Sequence, residues 1–328
     1  MSQHHDWSIW HARLQQRLKQ QPLLPRQAKI LIAVSGGQDS VCLAKLILDL
    51  QSLWNWQIAI AHCDHGWSTD AGIAEHVRQI ATNWDIPFYL EQAQNLKETE
   101  AAARKWRYQA LQKIAEREGF GYVVTGHTKS DRAETFLYNL MRGAGTDGLS
   151  SLDWQRNLTE QIFLVRPVLD LTRSETAAFC DKFALDLWID AANSNLKYAR
   201  NRIRQQLIPY LQSDFNPQVE NCLVQTAELL QADKECLEKQ ARELLAQVIS
   251  LDQTRLNRLE LGLLDLALQR RIIRQFLPSV LGCQPNFQQI EAVRILIDAP
   301  NKSQTSSLRK GITAIADRDW IVFESQLK

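Results

Sequence analysis

"ILIAVSGGQDSVCLAKLI", Ile30 to Ile47, runs an unbroken apolar segment into two glycines, an acid and a serine, and then into a helical pattern. A strand covered on both faces of a parallel sheet is apolar throughout, and Ile30–Val34 is. Two adjacent glycines let the chain turn sharply, because they lack a Cβ and let backbone N–H groups face a ligand. A helix opening at Asp39 and Ser40 adds its unpaired N–H groups and positive dipole end, so the expected guest is a phosphate group. No lysine follows the glycines, so this is not the Walker pattern G-x-x-x-x-G-K-[ST], nor is it G-x-G-x-x-G. Taken alone, the residues also fit a plain Gly-Gly turn with Asp39 and Ser40 capping a helix.

Outward from that stretch, the first 190 or so residues alternate short apolar runs with amphipathic segments, the βα rhythm of a parallel sheet. Strands are expected at Ile30–Val34, Gln57–Ala61, Pro87–Leu90, Tyr122–Thr125 and Ile162–Val165. "TRSE", Thr172 to Glu175, has capping-box spacing and opens a helix to about Phe183. Trp7, Trp10, Leu14 and Leu18 stand at helical spacing near the N-terminus. "QSDFNPQ", Gln212 to Gln218, breaks the pattern, and long helical runs follow at Val219–Ile249 and Leu263–Val280. The tail, "SSLRKGITAIADRDWIVFE", reads as a small hairpin around an Asp-Arg-Asp turn. The fold class is therefore α/β, a doubly wound and mostly parallel sheet over residues 1–213, with a smaller helical, α+β C-terminal domain over 214–328.

Composition excludes more than it selects. A chain of 328 residues with 45% hydrophobic content can bury more than one core, and a formal net charge of +1 says nothing about a nucleic-acid partner. Cys42, Cys63, Cys180, Cys222, Cys236 and Cys283 form no C-x-x-C pair, which disfavours zinc or iron–sulfur sites built from local ligands and suits a reducing cytoplasm. No apolar run approaches the roughly 20 residues of a membrane span, and the N-terminus is too polar for a signal peptide. No membrane partner is expected.

Several segments carry a family resemblance. "SGGQDS", Ser35 to Ser40, resembles the S-G-G-x-D-S signature of the N-type ATP pyrophosphatases, the PP-loop ATPases with an adenine nucleotide hydrolase-like fold. "AARKWRYQAL" at Ala102–Leu111 is similar to A-R-x-x-R-Y-x-x-L, and "TGHTKSDRAET" at Thr125–Thr135 to T-G-H-H-x-D-D-Q-x-E-T. "RGAGTDGL" at Arg142–Leu149 resembles R-G-x-G-x-x-G-L. "RPVLDLTRSE" and "DAANSNLKYARNRIRQQLIP" complete the series, the latter similar to D-x-S-N-x-x-x-x-Y-x-R-N-x-I-R. In that order they resemble the tRNA-Ile lysidine synthetases from Ile30 to Pro209. Thr128, Ser130, Arg132 and Ala192 depart from the pattern, whereas His127, Asp131, Glu134 and Asn193 keep it.

The resemblance implies a ligase that joins free L-lysine to C2 of the wobble cytidine of tRNA-Ile with anticodon CAU, using ATP and Mg2+ through an adenylated base. It implies ATP contacts at Ser35, Gly36, Gly37, Gln38, Asp39 and Ser40, and catalytic roles for Asp39, Arg104, Arg107, His127 and Asp131. Asp39 and Asp131, each just after a strand end, are the expected metal carboxylates. Arg104 and Arg107 share one helix face. The run Lys197, Arg200, Arg202 and Arg204 has no acid nearby in sequence and, with Arg142 and Asn201, is the expected tRNA contact, the alternative being a domain-joining helix whose arginines pair internally. The C-terminal domain is the expected tRNA-docking domain, and for Lys302, Arg309, Lys310 and Arg318 the two open readings are phosphate contact and a purely structural hairpin. A homodimer is left open.

Other chemistry-bearing residues read more plainly. "HCDHGW", His62 to Trp67, lacks further ligands at metal spacing and is expected as a strand-end loop bordering the nucleotide. His4, His5, His11 and His76 are expected at the surface, and Trp54, Trp56, Trp84 and Trp106 in the core. Two other functions fit the phosphate loop: a tRNA-thiolating ATP pyrophosphatase, disfavoured by the missing C-x-x-C, and a nucleotide- or tRNA-binding module without turnover.

Overall fold

A computed structural model describes residues 7–67, 70–150, 152–188, 196 and 198–325. His4, His5, Ala192, Asn193 and Lys197 therefore lie outside the described residues. Two compact units divide the chain, one ending at Glu228 and the other beginning at Leu229.

The first unit alternates strand and helix: α1 (Ile9–Gln20), β1 (Lys29–Ala33), α2 (Gln38–Trp54), β2 (Gln57–Asp64), α3 (Ile73–Asn83), β3 (Phe88–Gln92), α4 (Glu100–Glu118), β4 (Tyr122–Thr125) and α5 (Lys129–Met141). A short α6 (Thr146–Leu149), β5 (Gln155–Asn157), β6 (Phe163–Val165) and α7 (Arg173–Lys182) follow. Next come α8 (Ala199–Arg202), a π-helical turn (Ile203–Leu207), α9 (Ile208–Asp214) and the start of α10 (Val219–Val248).

The sheet order is β3-β2-β1-β4-β6-β5, parallel except for β5, which pairs antiparallel with β6 at the edge. All five expected strands are present. β5 was not expected, because "QRN" carries no apolar alternation and is held only by its ladder to Phe163–Val165.

Both faces of β1 are covered, since Ile30, Leu31 and Ile32 are each fully buried. Ile30 and Ile32 share a core with Leu14 and Leu18 of α1, Leu43 and Ile47 of α2, Val77 of α3 and Phe179 of α7. Leu31 points the other way, into a core with Ala59, Val123, Leu164 and Leu111 and Ile114 of α4. That alternation is the period-two side-chain geometry of a strand, doubled because helices lie on both sides. The chain passes from β1 to β2 on one side and reaches β4 on the other. Such a reversal opens a crevice at the carboxyl ends of the two strands, the place where open α/β sheets take ligands.

His11 corrects the surface expectation. It continues the Leu14–Leu18 stripe onto the buried face of α1 and is 1% exposed. Its Nδ1 meets the Ser8 hydroxyl at 2.7 Å, and its Nε2 meets Asp49 Oδ2 at 3.0 Å. His76 is likewise half-buried, against the Trp188 ring. Trp54 and Trp56 are buried and stacked, and Trp84 and Trp106 pack on the cores, as expected.

The compositional break at Gln212–Gln218 covers the end of α9 and the turn into α10, and the first unit continues past it to Glu228. Val224 of α10 is 6% exposed among Ala133, Leu137, Ile203 and Ile208, so this turn of helix belongs to the first core.

The second unit holds the rest of α10, then β7 (Arg255–Asn257), α11 (Arg258–Gly262), α12 (Leu266–Leu281), α13 (Phe287–Ile295), β8 (Ile312–Asp317) and β9 (Trp320–Ser325). Its antiparallel sheet has the order β7-β9-β8, and its core centres on Ile272, Ile273, Phe276, Leu277, Val293 and Ile321. The expected hairpin is β8–β9, closed where Asp317 faces Trp320 and Arg318 takes a left-handed φ of 52°. Of the tail cations, Lys302 pairs with Asp317 at 2.6 Å and Arg309 donates to the Leu281 carbonyl. No helix among the described residues is long and apolar enough to cross a membrane.

Burial of Val224 has a measurable consequence. A chain ending at Glu228 should be more stable than one ending at Ser213 by about 2 kcal/mol, the burial of one aliphatic side chain. Urea denaturation of the two chains checks this, and equal midpoints would refute the placement of the first core.

Candidate active site

Ser35–Ser40 forms a tight turn between β1 and α2. Gly36 takes a φ of 86°, and Gly37 is the N-cap of α2. The Ser40 hydroxyl donates to the Gly37 carbonyl at 2.8 Å and accepts from the Ser35 N–H at 3.1 Å, which closes the turn on itself. Trp188 lies against this loop. Its N–H donates to the Gly36 carbonyl at 3.0 Å, and its Cβ stands 3.1 Å from where a side chain at Gly36 would begin. Gly36 is thus required twice, by backbone conformation and by close approach.

Asp39 and Asp131 are brought together. Asp39 sits in the first turn of α2 after β1, Asp131 in the first turn of α5 after β4. One guanidinium nitrogen, Arg173 Nη2, lies 2.9 Å from Asp39 Oδ2 and 3.4 Å from Asp131 Oδ1. Arg173 and Thr176 come from α7, whose cap at Thr172 forms the expected capping box with Glu175. The Thr176 hydroxyl donates to Asp39 Oδ1 and the Gln38 amide donates to the Arg173 carbonyl, so α7 buttresses the loop. A side chain at Gly126 would begin 2.7 Å from the Asp39 carbonyl, which lets the end of β4 approach the start of α2.

The departures from the family pattern have local reasons. Thr128 is the N-cap of α5, accepting from the Asp131 N–H, while the Asp131 carboxylate accepts from the Thr128 N–H at 2.8 Å and its hydroxyl at 2.9 Å. Ser130 accepts from the Arg173 N–H at 3.1 Å. Arg132 is buried and pairs with Glu228 at 2.8 Å.

Burial and charge divide the titrating groups. Burial raises the Asp39 carboxyl, with the Arg173 cation working against that rise. Burial also opposes ionisation of Asp131, but Arg173, the Thr128 N–H and Arg204 favour the carboxylate, and its pKa lies below the ordinary value. Burial pushes the His127 imidazole down to about 3, so it is neutral at working pH. Its Nδ1 meets the Thr125 hydroxyl at 2.9 Å.

The arginines fall into two groups. Arg104 of α4 lies over the Tyr108 ring at 5.3 Å, and Arg107 Nη2 is 3.4 Å from His65 Nε2. Arg204, in the π-helical turn, chelates Glu134 at 2.6 and 2.8 Å and reaches Asp131 at 3.5 Å. A π turn aims a side chain off the regular helical stripe, and here it supplies the acids that the local sequence lacks. Arg200 pairs with Glu100 at 3.0 Å, Arg202 donates to the Leu196 carbonyl, Asn201 is buried, and Arg142 donates to the Tyr138 hydroxyl. Of the "HCDHGW" segment, His62 lies within β2 and meets the Val34 carbonyl at 2.8 Å, and His65, just beyond the strand end, stacks on Trp67. No group of three or more His, Cys, Asp or Glu residues among the described residues could hold a metal on its own.

Arg173, Thr176, Gly126 and Glu134 were not singled out as site residues from sequence. Arg173 and Thr176 lie within or just beyond the family-like segment "RPVLDLTRSE", a signal that could have found them.

A family model described as a PP-loop domain matches residues 9–211. A tRNA(Ile)-lysidine synthase of Nostoc sp. is 50% identical, with 97% of this chain and 98% of that protein covered. The enzyme of that name from Synechocystis sp. is 51% identical over 92% of this chain and 93% of its own. This chain belongs to the tRNA(Ile)-lysidine synthase family. A chloroplastic tRNA(Ile)-lysidine synthase from Pyropia yezoensis, 37% identical, covers 89% of each chain. Among solved structures, the U34-tRNA thiolase NcsA of Methanococcus maripaludis shares the fold, with a TM-score of 0.58 at 14% identity over 68% of this chain and 78% of that one. As a lysidine synthase family member with a PP-loop domain, the chain is an ATP-dependent ligase, and the thiolating alternative is not favoured.

The depressed imidazole predicts a pH dependence of stability. The folded-state pKa of His127 is below its ordinary 6.5, so the unfolded chain binds more protons between 6.5 and about 3. Stability from this group is complete above 6.5 and lost as pH falls through that window. His127→Gln should flatten the decline in urea midpoint between pH 6.5 and 4, and an unchanged slope would overturn the assignment.

Proposed function

We propose that the chain joins L-lysine to C2 of the wobble cytidine of tRNA-Ile bearing the anticodon CAU, switching its reading from AUG to AUA. The C2 oxygen attacks the α-phosphorus of ATP and pyrophosphate leaves. The neutral ε-amine of lysine then attacks C2, AMP departs with that oxygen, and the amine gives up a proton. The observation that carries the reading is the Asp39–Arg173–Asp131 bridge beside the Ser35–Ser40 loop, within a chain that matches lysidine synthases over nearly its whole length.

The roles follow from chemistry. Ser35, Gly36, Gly37, Gln38 and Ser40 offer backbone N–H groups and hydroxyls to the leaving pyrophosphate. Asp39 and Asp131 are hard oxygen donors close enough to share one cation, which suits a Mg2+ held mainly by ATP phosphates. Bound there, Mg2+ would neutralise the developing phosphate charge. Arg104 and Arg107 face the α-phosphate, and neutral His127 can donate or accept a hydrogen bond at the reacting base without adding charge. Arg204 orients Glu134 and Asp131, whereas Arg142, Arg200, Asn201 and Arg202, with Lys197, serve the tRNA. The second unit docks the tRNA, and the reaction belongs in the cytoplasm.

Pyrophosphate release from ATP should require tRNA-Ile transcript, and AMP release should require lysine as well. Asp39→Asn should keep the fold and lower pyrophosphate release at least ~100-fold, in the range for removing a preorganised electrostatic group. Release near the wild-type rate from that variant would refute the role of Asp39. Lysine-independent AMP release would refute the ligase reading.

A further inference from the structure

On the other side of His127 from the phosphate loop, three guanidinium groups converge on one phenol. Arg156 of β5 lies over the Tyr108 ring at 4.8 Å and Arg104 at 5.3 Å, while Arg166, the residue after β6, is near enough that, despite burial, its charge, with those of Arg104 and Arg156, holds the Tyr108 phenol below its ordinary pKa. None of the three pairs with a carboxylate among the described residues. Arg166 is 2% exposed and donates to the Asp153 carbonyl, yet its buried Nε has no partner there. Three cations gathered without an acid, one of them buried and not fully satisfied, repel one another and call for an anion.

We propose that Arg156 and Arg166, arranged around Tyr108 beside Arg104, form a second oxyanion subsite that holds an RNA backbone phosphate next to the reacting nucleotide. This rests on the reading of RNA as the substrate and adds residues that reading did not assign. Position argues for RNA rather than for ATP. The phosphate loop follows β1, His127 follows β4, and Arg166 follows β6, in adjacent strands of the sheet. At ~4.8 Å per strand, Arg166 stands roughly 10 Å along the crevice from the loop that takes the pyrophosphate. A nucleotide whose base reaches the α-phosphorus carries its own phosphates outward from that point, toward the sheet edge where β5 and Arg156 lie. Charge number argues the same way, because a lone substrate carboxylate is satisfied by one bidentate arginine.

Arg156 is the residue to change, since Arg166 also supports the Asp153 loop. With an anticodon stem-loop of tRNA-Ile, Arg156→Ala should raise the KM for RNA ~10-fold and reduce the salt slope of RNA binding by ~0.7–0.9, one phosphate contact on a single strand or duplex. Arg156→Lys should restore the slope, and the KM values for ATP and lysine should not move. Neutral methylphosphonates placed one at a time in the loop should identify one phosphate whose replacement weakens the wild type equally and adds nothing in Arg156→Ala. A KM change confined to lysine or to ATP, or an unchanged salt slope, would overturn the subsite. Absence of pyrophosphate release by the wild type with this RNA would instead overturn the function on which it rests.

Discussion

Asp39 and Asp131 enter the crevice on the first turns of two helices that leave neighbouring parallel strands, and carboxylates held so near repel each other. Arg173 between them makes that approach tolerable. Around this contact the rest of the site is arranged. The α7 helix that delivers Arg173 also delivers Thr176 to Asp39 and its own carbonyl to Gln38, so the phosphate loop is held by the helix that neutralises its acid.

Packing makes the contact repeatable. Gly126 allows the end of β4 to lie against the Asp39 carbonyl, and any side chain there would force strand and helix apart. Thr128 fixes the Asp131 rotamer by exchanging cap hydrogen bonds with it. A histidine in that place would not cap as threonine does, so the departure from the family pattern serves the same carboxylate. Arg204 completes the arrangement from the π-helical turn, holding Glu134 through both oxygens. Asp39, Asp131 and Glu134 are thus each engaged by an arginine, whereas the arginines around Tyr108 pair with no carboxylate among the described residues.

Much of this was legible in the chain. The apolar Ile30–Val34 run, the glycine turn and the Thr172 capping box depend on backbone sterics and on neighbours within four residues, and they appear where local pattern puts them. The motif spacing placed Asp39 and Asp131 after strand ends, and parallel topology then made them neighbours. Less was legible wherever a charge finds its partner through space. Arg204 looked like part of an uncompensated basic run because its acids lie some 70 residues earlier. His11 looked like a surface histidine because Asp49, its partner, is on another helix.

By itself, then, the sequence determined the doubly wound sheet, the phosphate loop and the family, since periodicity, glycine placement and ordered motifs are properties of short windows. Only the tertiary structure decided what the charged residues do. Arg173 bridges two acids, Arg204 serves a carboxylate, and Arg156 reaches Tyr108 of α4 from an edge strand too short and polar to be seen in advance. The physical reason is that a side chain's charge partner is chosen by the packing of strands and helices, which brings together residues more than a hundred positions apart.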